Sequence, residues 1–172
     1  MKQKMRTTIT GAEWDEPSDT IKITPGFNFD GLHVMTDFEL GWVAAALDGE
    51  GSITASRGGE GYSLHGITVE ICNTNPKFTE NAMELIGFGS LWNGEYAEGK
   101  YTCRWYTSGK RHILYLLKQL LPYLINKRKI AEAVIEYIEV RQYRYRMVAN
   151  QREEELFENV LAARVRGNNA AV

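Results

Sequence analysis

Leu40-Gly41-Trp42-Val43-Ala44-Ala45-Ala46-Leu47-Asp48-Gly49-Glu50-Gly51-Ser52-Ile53 is the stretch on which the reading of this chain turns. Its first eight residues are apolar nearly all round, as expected of a buried helix, and Gly41, Ala44 and Ala45 give it a side of small residues that lets another backbone come close. Its far end is unusual. Asp48 and Glu50 lie where the helix macrodipole is negative, a position that disfavours each acid by roughly 0.3 to 1 kcal/mol. A cation removes that penalty. Gly49 and Gly51 permit a left-handed or otherwise unusual backbone that ends the helix and turns a carbonyl outward beside the carboxylate. Such a hard-oxygen site suits Mg2+, which keeps much of its water and takes one or two carboxylates from protein. An alanine-rich core helix with a glycine cap accounts for the helix alone, but not for two acids at its wrong end.

Upstream, Thr36-Asp37-Phe38-Glu39 reads as a capping box, so the helix begins at about Asp37 and runs to Asp48. Two strands follow, Ser52 to Arg57 and Tyr62 to Asn73, the second alternating Ile67, Val69, Ile71 against Thr68, Glu70, Cys72. Asn75 and Pro76 supply the cap and first turn of a helix to Ile86, ended by Gly87-Phe88-Gly89. Strands are expected at Ser90 to Asn93 and Lys100 to Thr107, with Tyr101, Cys103, Trp105 on one face and Thr102, Arg104, Tyr106 on the other. Ile113, Leu116, Leu117, Leu120 and Leu121 recur at helical spacing up to Pro122, and further helices are expected at Lys127 to Gln142 and Gln151 to Arg164. The order is αββαββα, an α+β layer with a four-stranded antiparallel sheet and its helices on one face.

Length and charge fill in the surroundings. The chain has 172 residues, 44% hydrophobic and 24% charged, enough for one core. It divides into an N-terminal extension (1–35) that is rich in turn residues, a core (36–148) and a C-terminal helical tail (149–172). Cys72 and Cys103 form no CxxC and adjoin no histidine cluster, which argues against a zinc or disulfide framework and fits a reducing, intracellular compartment, whether bacterial or phage cytoplasm or an organelle. The most apolar stretch, Ile113 to Ile125, is interrupted by Lys118, Gln119 and Pro122, so no membrane partner is expected. The net charge of -2 argues against a polycation, yet it hides a division. Residues 1–99 hold six Lys/Arg against fifteen Asp/Glu, and residues 100–148 hold eleven against three. The basic half can meet phosphate, or can simply be solvated helix surface.

In Val43-Ala44-Ala45-Ala46-Leu47-Asp48-Gly49-Glu50-Gly51 the chain resembles the LAGLIDADG homing endonucleases, and the order of elements extends the likeness over roughly Phe38 to Val140. The resemblance implies that the motif helix packs against a second motif helix through Gly41, Ala44, Ala45 and Asp48. It makes Glu50, assisted by the Gly49 carbonyl, the metal-binding acid. It further assigns Asn75 to ordering water near the metal and Lys127, in Pro122-Tyr123-Leu124-Ile125-Asn126-Lys127, to charge near the scissile phosphate. Asn75 is equally a good N-cap, and Lys127 equally a first-turn surface lysine. There are departures: Val43, Ala45 and Ala46 stand where leucine, glycine and a larger apolar residue are commoner, and Glu50 replaces aspartate. A basic residue frequent early in the second helix is Thr79 here, leaving that helper role unassigned.

Only one motif is present, so the resemblance implies a homodimer with C2 symmetry on a near-palindromic double-stranded DNA site. Thr54, Ser56, Gly66, Thr68, Glu70, Cys72, Trp92, Thr102 and Arg104 would face the major groove, where Arg104 could read guanine and Glu70 could accept from cytosine. The implied reaction is Mg2+-dependent hydrolysis of both strands, with Mn2+ or Ca2+ able to occupy the site. An RNA-binding intron maturase of the same fold and a non-cleaving DNA-binding regulator are the alternatives.

Overall fold

A computed structural model of the chain describes residues 29–57, 65–141 and 149–168. Thr36 forms the capping box in full: its hydroxyl accepts the Glu39 amide, and the Glu39 carboxylate takes the Thr36 amide at 2.7 Å. From there α1 (Asp37–Glu50) runs directly into β1 (Gly51–Arg57), followed by β2 (His65–Asn73), α2 (Pro76–Ile86), β3 (Ser90–Ala97), β4 (Lys100–Thr107), α3 (Lys110–Leu120), α4 (Arg128–Arg141) and α5 (Gln151–Asn168). The strands form an antiparallel sheet in the order β1-β2-β4-β3. Strand β3 runs four residues further than expected, past Asn93 to Ala97, because Trp92 to Glu95 stay in register with Arg104 to Tyr101. The expected strand residues Tyr62 to Leu64 lie outside the described residues.

Alternation along the strands decides which side is covered. Ile53, Ala55, Ile67, Val69, Ile71, Cys103 and Trp105 point inward and are buried, under α1, α2 and α3. Val43 and Leu47 of α1 are fully enclosed, each contributing about 1.5 to 3 kcal/mol by leaving water. Thr79, where the resemblance sought a basic residue, is fully buried and donates its hydroxyl to the Pro76 carbonyl. Phe29, Leu32 and Met35 also sit in the core, Phe29 with its ring 5.2 Å from Tyr115, so the end of the N-terminal extension is part of the same packed body. Among the described residues no helix is long and apolar enough to cross a membrane.

The α4–α5 seam is polar and closed. Arg141 and Glu153, both 1% exposed, pair at 3.0 Å. His65 stacks on Phe157 at 3.7 Å, meets the Tyr137 hydroxyl at 2.8 Å, and lies 3.1 Å from Glu154. Arg57 reaches Glu154 at 2.7 Å and also bonds Glu158. Helix α5 is thereby fastened to the base of β1 and β2.

Candidate nucleic-acid interface and acid site

The two acids of the motif have different fates. Asp48 turns toward its own chain, where its carboxylate accepts the amides of Ile125 at 2.6 Å, Asn126 at 3.2 Å and Lys127 at 2.9 Å, immediately before α4. It sits at the positive end of that helix, which offsets the penalty of standing at the negative end of α1. Backbone N–H groups 77 to 79 residues away thus take the place of the cation expected for Asp48. Lys127 completes the arrangement by donating its ammonium to the Asp48 carbonyl at 2.8 Å, satisfying an orphan acceptor of α1. Burial lowers the Lys127 pKa, and Asp48 works against that shift.

Glu50, the last residue of α1, is exposed and makes no hydrogen bond or ion pair among the described residues. Gly51 pairs with Ile71, which sets the end of α1 beside the turn after β2. There the Cys72 thiol is pushed up by burial and by the acids Glu70 and Glu50, while Arg104 pulls it down. The left-handed backbone expected at Gly49 and Gly51 is absent: Gly49 is helical, and Gly51 is extended at φ -104. Glycine is required at position 51 for space instead, since a Cβ there would lie 2.6 Å from Leu47 Cδ1 and 2.7 Å from the Glu70 carbonyl oxygen.

Asn75 caps α2, its side chain accepting the Lys77 amide at 3.1 Å, while Asn73 accepts the Asn75 amide at 2.9 Å. It is exposed near the same turn, with one side-chain role already filled. On α1, Gly41 and Ala45 are exposed together with Phe38, which is 79% exposed. Ala44 is enclosed in the chain's own core, so the outward stripe runs Phe38, Gly41, Ala45 rather than through Ala44. Residues 123–125 run alongside this stripe, since the Tyr123 hydroxyl donates to Asp37 and the Ile125 amide to Asp48; Ile125 is 84% exposed.

The outer face of the sheet carries the residues that alternation assigned to it. Thr54 lies opposite Thr68, Ser56 opposite Gly66, Cys72 opposite Arg104, Arg104 opposite Trp92, and Thr102 opposite Gly94. Ser52, Tyr106 and Ser90 complete a row through Glu70. Period-two counting from Thr54 and Arg104 reaches Ser52 and Tyr106, so that signal was present in the chain. Glu70 and Arg104, read from sequence as independent base readers, face each other at 3.3 Å.

A helix-backed antiparallel sheet, with an exposed carboxylate at the end of its first helix, defines an α+β scaffold with one polar outer face. No protein-family model and no curated protein matches the chain in sequence. Solved structures do match. The homing endonuclease I-CvuI, in complex with its target in the presence of calcium, is similar with a TM-score of 0.57 at 17% identity, over 77% of this chain and 81% of that one. The LAGLIDADG homing endonuclease I-SmaMI bound to cleaved DNA is similar with a TM-score of 0.56 at 16% identity, over 72% of this chain and 42% of that longer one. The group I intron-encoded homing endonuclease I-CeuI, complexed with DNA, is similar with a TM-score of 0.51 at 13% identity, over 62% and 56%. The chain has the LAGLIDADG homing-endonuclease fold.

Proposed function

We propose that the protein is a homodimeric, site-specific DNA endonuclease in which Glu50 of each chain supplies the metal-binding acid. The observation that carries this reading is the contrast within the motif: Asp48 is consumed by three backbone amides, and Glu50 is exposed and unpartnered among the described residues. The donor set fits Mg2+, because a carboxylate and the neighbouring Gly49 carbonyl are hard oxygens, and one acid per chain gives the one or two carboxylates that this ion takes. Bound there, the ion would supply Lewis-acid stabilisation of charge on the attacking and leaving oxygens.

This chain's own residues do the remaining work. Lys127, whose ammonium is held on the Asp48 carbonyl at the end of α1, would set a positive charge there to meet a phosphate. Asn75 keeps its amide group near the same turn and orders solvent. The exposed stripe Phe38, Gly41, Ala45 supports close packing of α1 against its copy, which brings the two Glu50 carboxylates to one symmetric centre on a near-palindromic duplex. The sheet face then follows the major groove, whose edges Thr54, Ser56, Thr68, Cys72, Trp92, Thr102 and Arg104 meet.

Incubating the purified protein with a randomised duplex library and Mg2+, and sequencing the cut ends, tests the reading. Cut sites with two-fold symmetry are expected, and Glu50→Gln abolishes cutting while duplex binding persists. Undiminished cutting by that variant removes Glu50 from the reaction.

A further inference from the structure

The centre of the outer sheet face holds a connected group rather than separate side chains. Glu70 on β2 and Arg104 on β4 are diagonal neighbours, Glu70 lying opposite Tyr106 and Arg104 opposite Cys72. The Ser52 hydroxyl donates to Glu70 Oε1 at 2.9 Å, and Arg104 Nη1 meets Glu70 Oε2 at 3.3 Å, so both oxygens of the carboxylate are engaged within the chain. On its other side the Arg104 guanidinium lies 5.6 Å from the centre of the Trp92 ring. That ring is laid against the backbone of Gly94, where a Cβ would come within 2.7 Å of Trp92 Cζ2. The arginine nevertheless remains 41% exposed.

We infer that Glu70, Trp92 and Gly94 position Arg104 to read a single guanine in each half-site, and that Glu70 reads no base of its own. The inference deepens the nuclease reading and rests on it. A guanidinium has five donors, so one edge can serve Glu70 while another offers the two hydrogen bonds that guanine O6 and N7 accept. Holding the planar fork between a carboxylate and an indole removes rotamer freedom before DNA arrives, which favours binding. The carboxylate also cancels the charge of Arg104, so the centre of the face has little pull on phosphate and discriminates by base instead. Ser52 fixes the carboxylate from the far side, and the missing side chain of Gly94 is what lets Trp92 lie flat.

The test selects cut or bound sites from the randomised duplex library with the full chain, comparing wild type with Arg104→Lys, Glu70→Gln, Gly94→Ala and Trp92→Leu, each checked for folding by thermal melting. Wild type is expected to enrich guanine at one position per half-site, and Arg104→Lys to flatten that preference by roughly 5- to 150-fold. Glu70→Gln and whichever folded variants change the Trp92 shelf should flatten the same position, and no other. Glu70→Gln should also bind a non-specific duplex more tightly, with a salt slope steeper by about one. A preference lost at a different position in Glu70→Gln makes Glu70 a reader in its own right and overturns the inference. So does an unchanged guanine preference in folded Gly94→Ala and Trp92→Leu. Enrichment of no site by wild type overturns the nuclease reading together with the inference, an outcome distinct from either of these.

Discussion

The α4–α5 seam and the motif end of α1 are both rich in charge, and they use it in opposite ways. At the seam Arg141 and Glu153 are enclosed together, and His65 is wedged between Phe157, Tyr137 and Glu154. At the motif end Asp48 is likewise tied down, but Glu50, two residues later, is not. A charge that the fold needs is paired with its own chain, whereas Glu50, at an electrostatically poor helix end, is exposed and makes no hydrogen bond or ion pair among the described residues. Residue type alone does not separate the two regions.

The contrast can be broken by experiment. The largest stability effect is expected at the seam. Arg141→Leu takes its Arg141 partner from the buried Glu153 carboxylate and should cost roughly 3 to 5 kcal/mol in chemical denaturation, whereas the double variant Arg141→Leu/Glu153→Leu recovers part of the loss, the Asn150 amide still losing its acceptor. A single variant as stable as wild type would make the pair dispensable. Next, Asp48→Ala strands three amides and should cost about 2 to 3 kcal/mol, while Glu50→Gln should melt like wild type. Equal destabilisation by the two would erase the distinction. Gly51→Ala comes third, at about 1 to 3 kcal/mol, because the obstructing atoms include backbone that cannot swing away. Gly49→Ala meets nothing within 4 Å and should gain up to about 1 kcal/mol from helix propensity. A reversal of that pair would remove the spatial explanation of the glycines.

The smallest effect is a pH dependence at the seam. Burial foremost, then the cations Arg141, Arg57 and Lys110, hold the His65 imidazole below its ordinary pKa of 6.5, with Glu154 opposing them. The unfolded chain therefore binds the proton more readily than the native one. This contribution is intact above the ordinary value and is lost as pH falls through it toward the depressed native pKa. Melting curves across that range should show a slope in wild type that is reduced in His65→Gln.

Much of the architecture was legible because it is written in short-range signals. The capping box at Thr36, the Asn75-Pro76 start of α2 and the alternation of β2 and β4 each depend on residues within a few positions of one another, and the ends of α2 and β4 fall where they were expected. The outer sheet face followed from the same period of two. Long-range closures were not legible. Asp48 and Glu50 look alike along the chain, and only folding brings Ile125, Asn126 and Lys127 to one of them. Ala44 looked like part of the smooth side of α1, but the rotation of the helix on the sheet turned it inward and left Gly41 and Ala45 outside. The Glu70–Arg104 pair required the register of β2 against β4, which hydrophobic pattern does not supply.

The clasp of Asp48 on residues 125–127 has a consequence for how this site can evolve. Lys127 comes from the opposite end of the core to Glu50, yet its amide and its ammonium are both held by Asp48, through one carboxylate and one carbonyl. The connection between α3 and α4 is therefore a surface segment whose length is fixed: adding or deleting one residue before Lys127 would slide the ammonium off its mount while leaving every strand in place. Outside the enclosed Leu124, this short crossing should therefore tolerate changes of side chain better than changes of count.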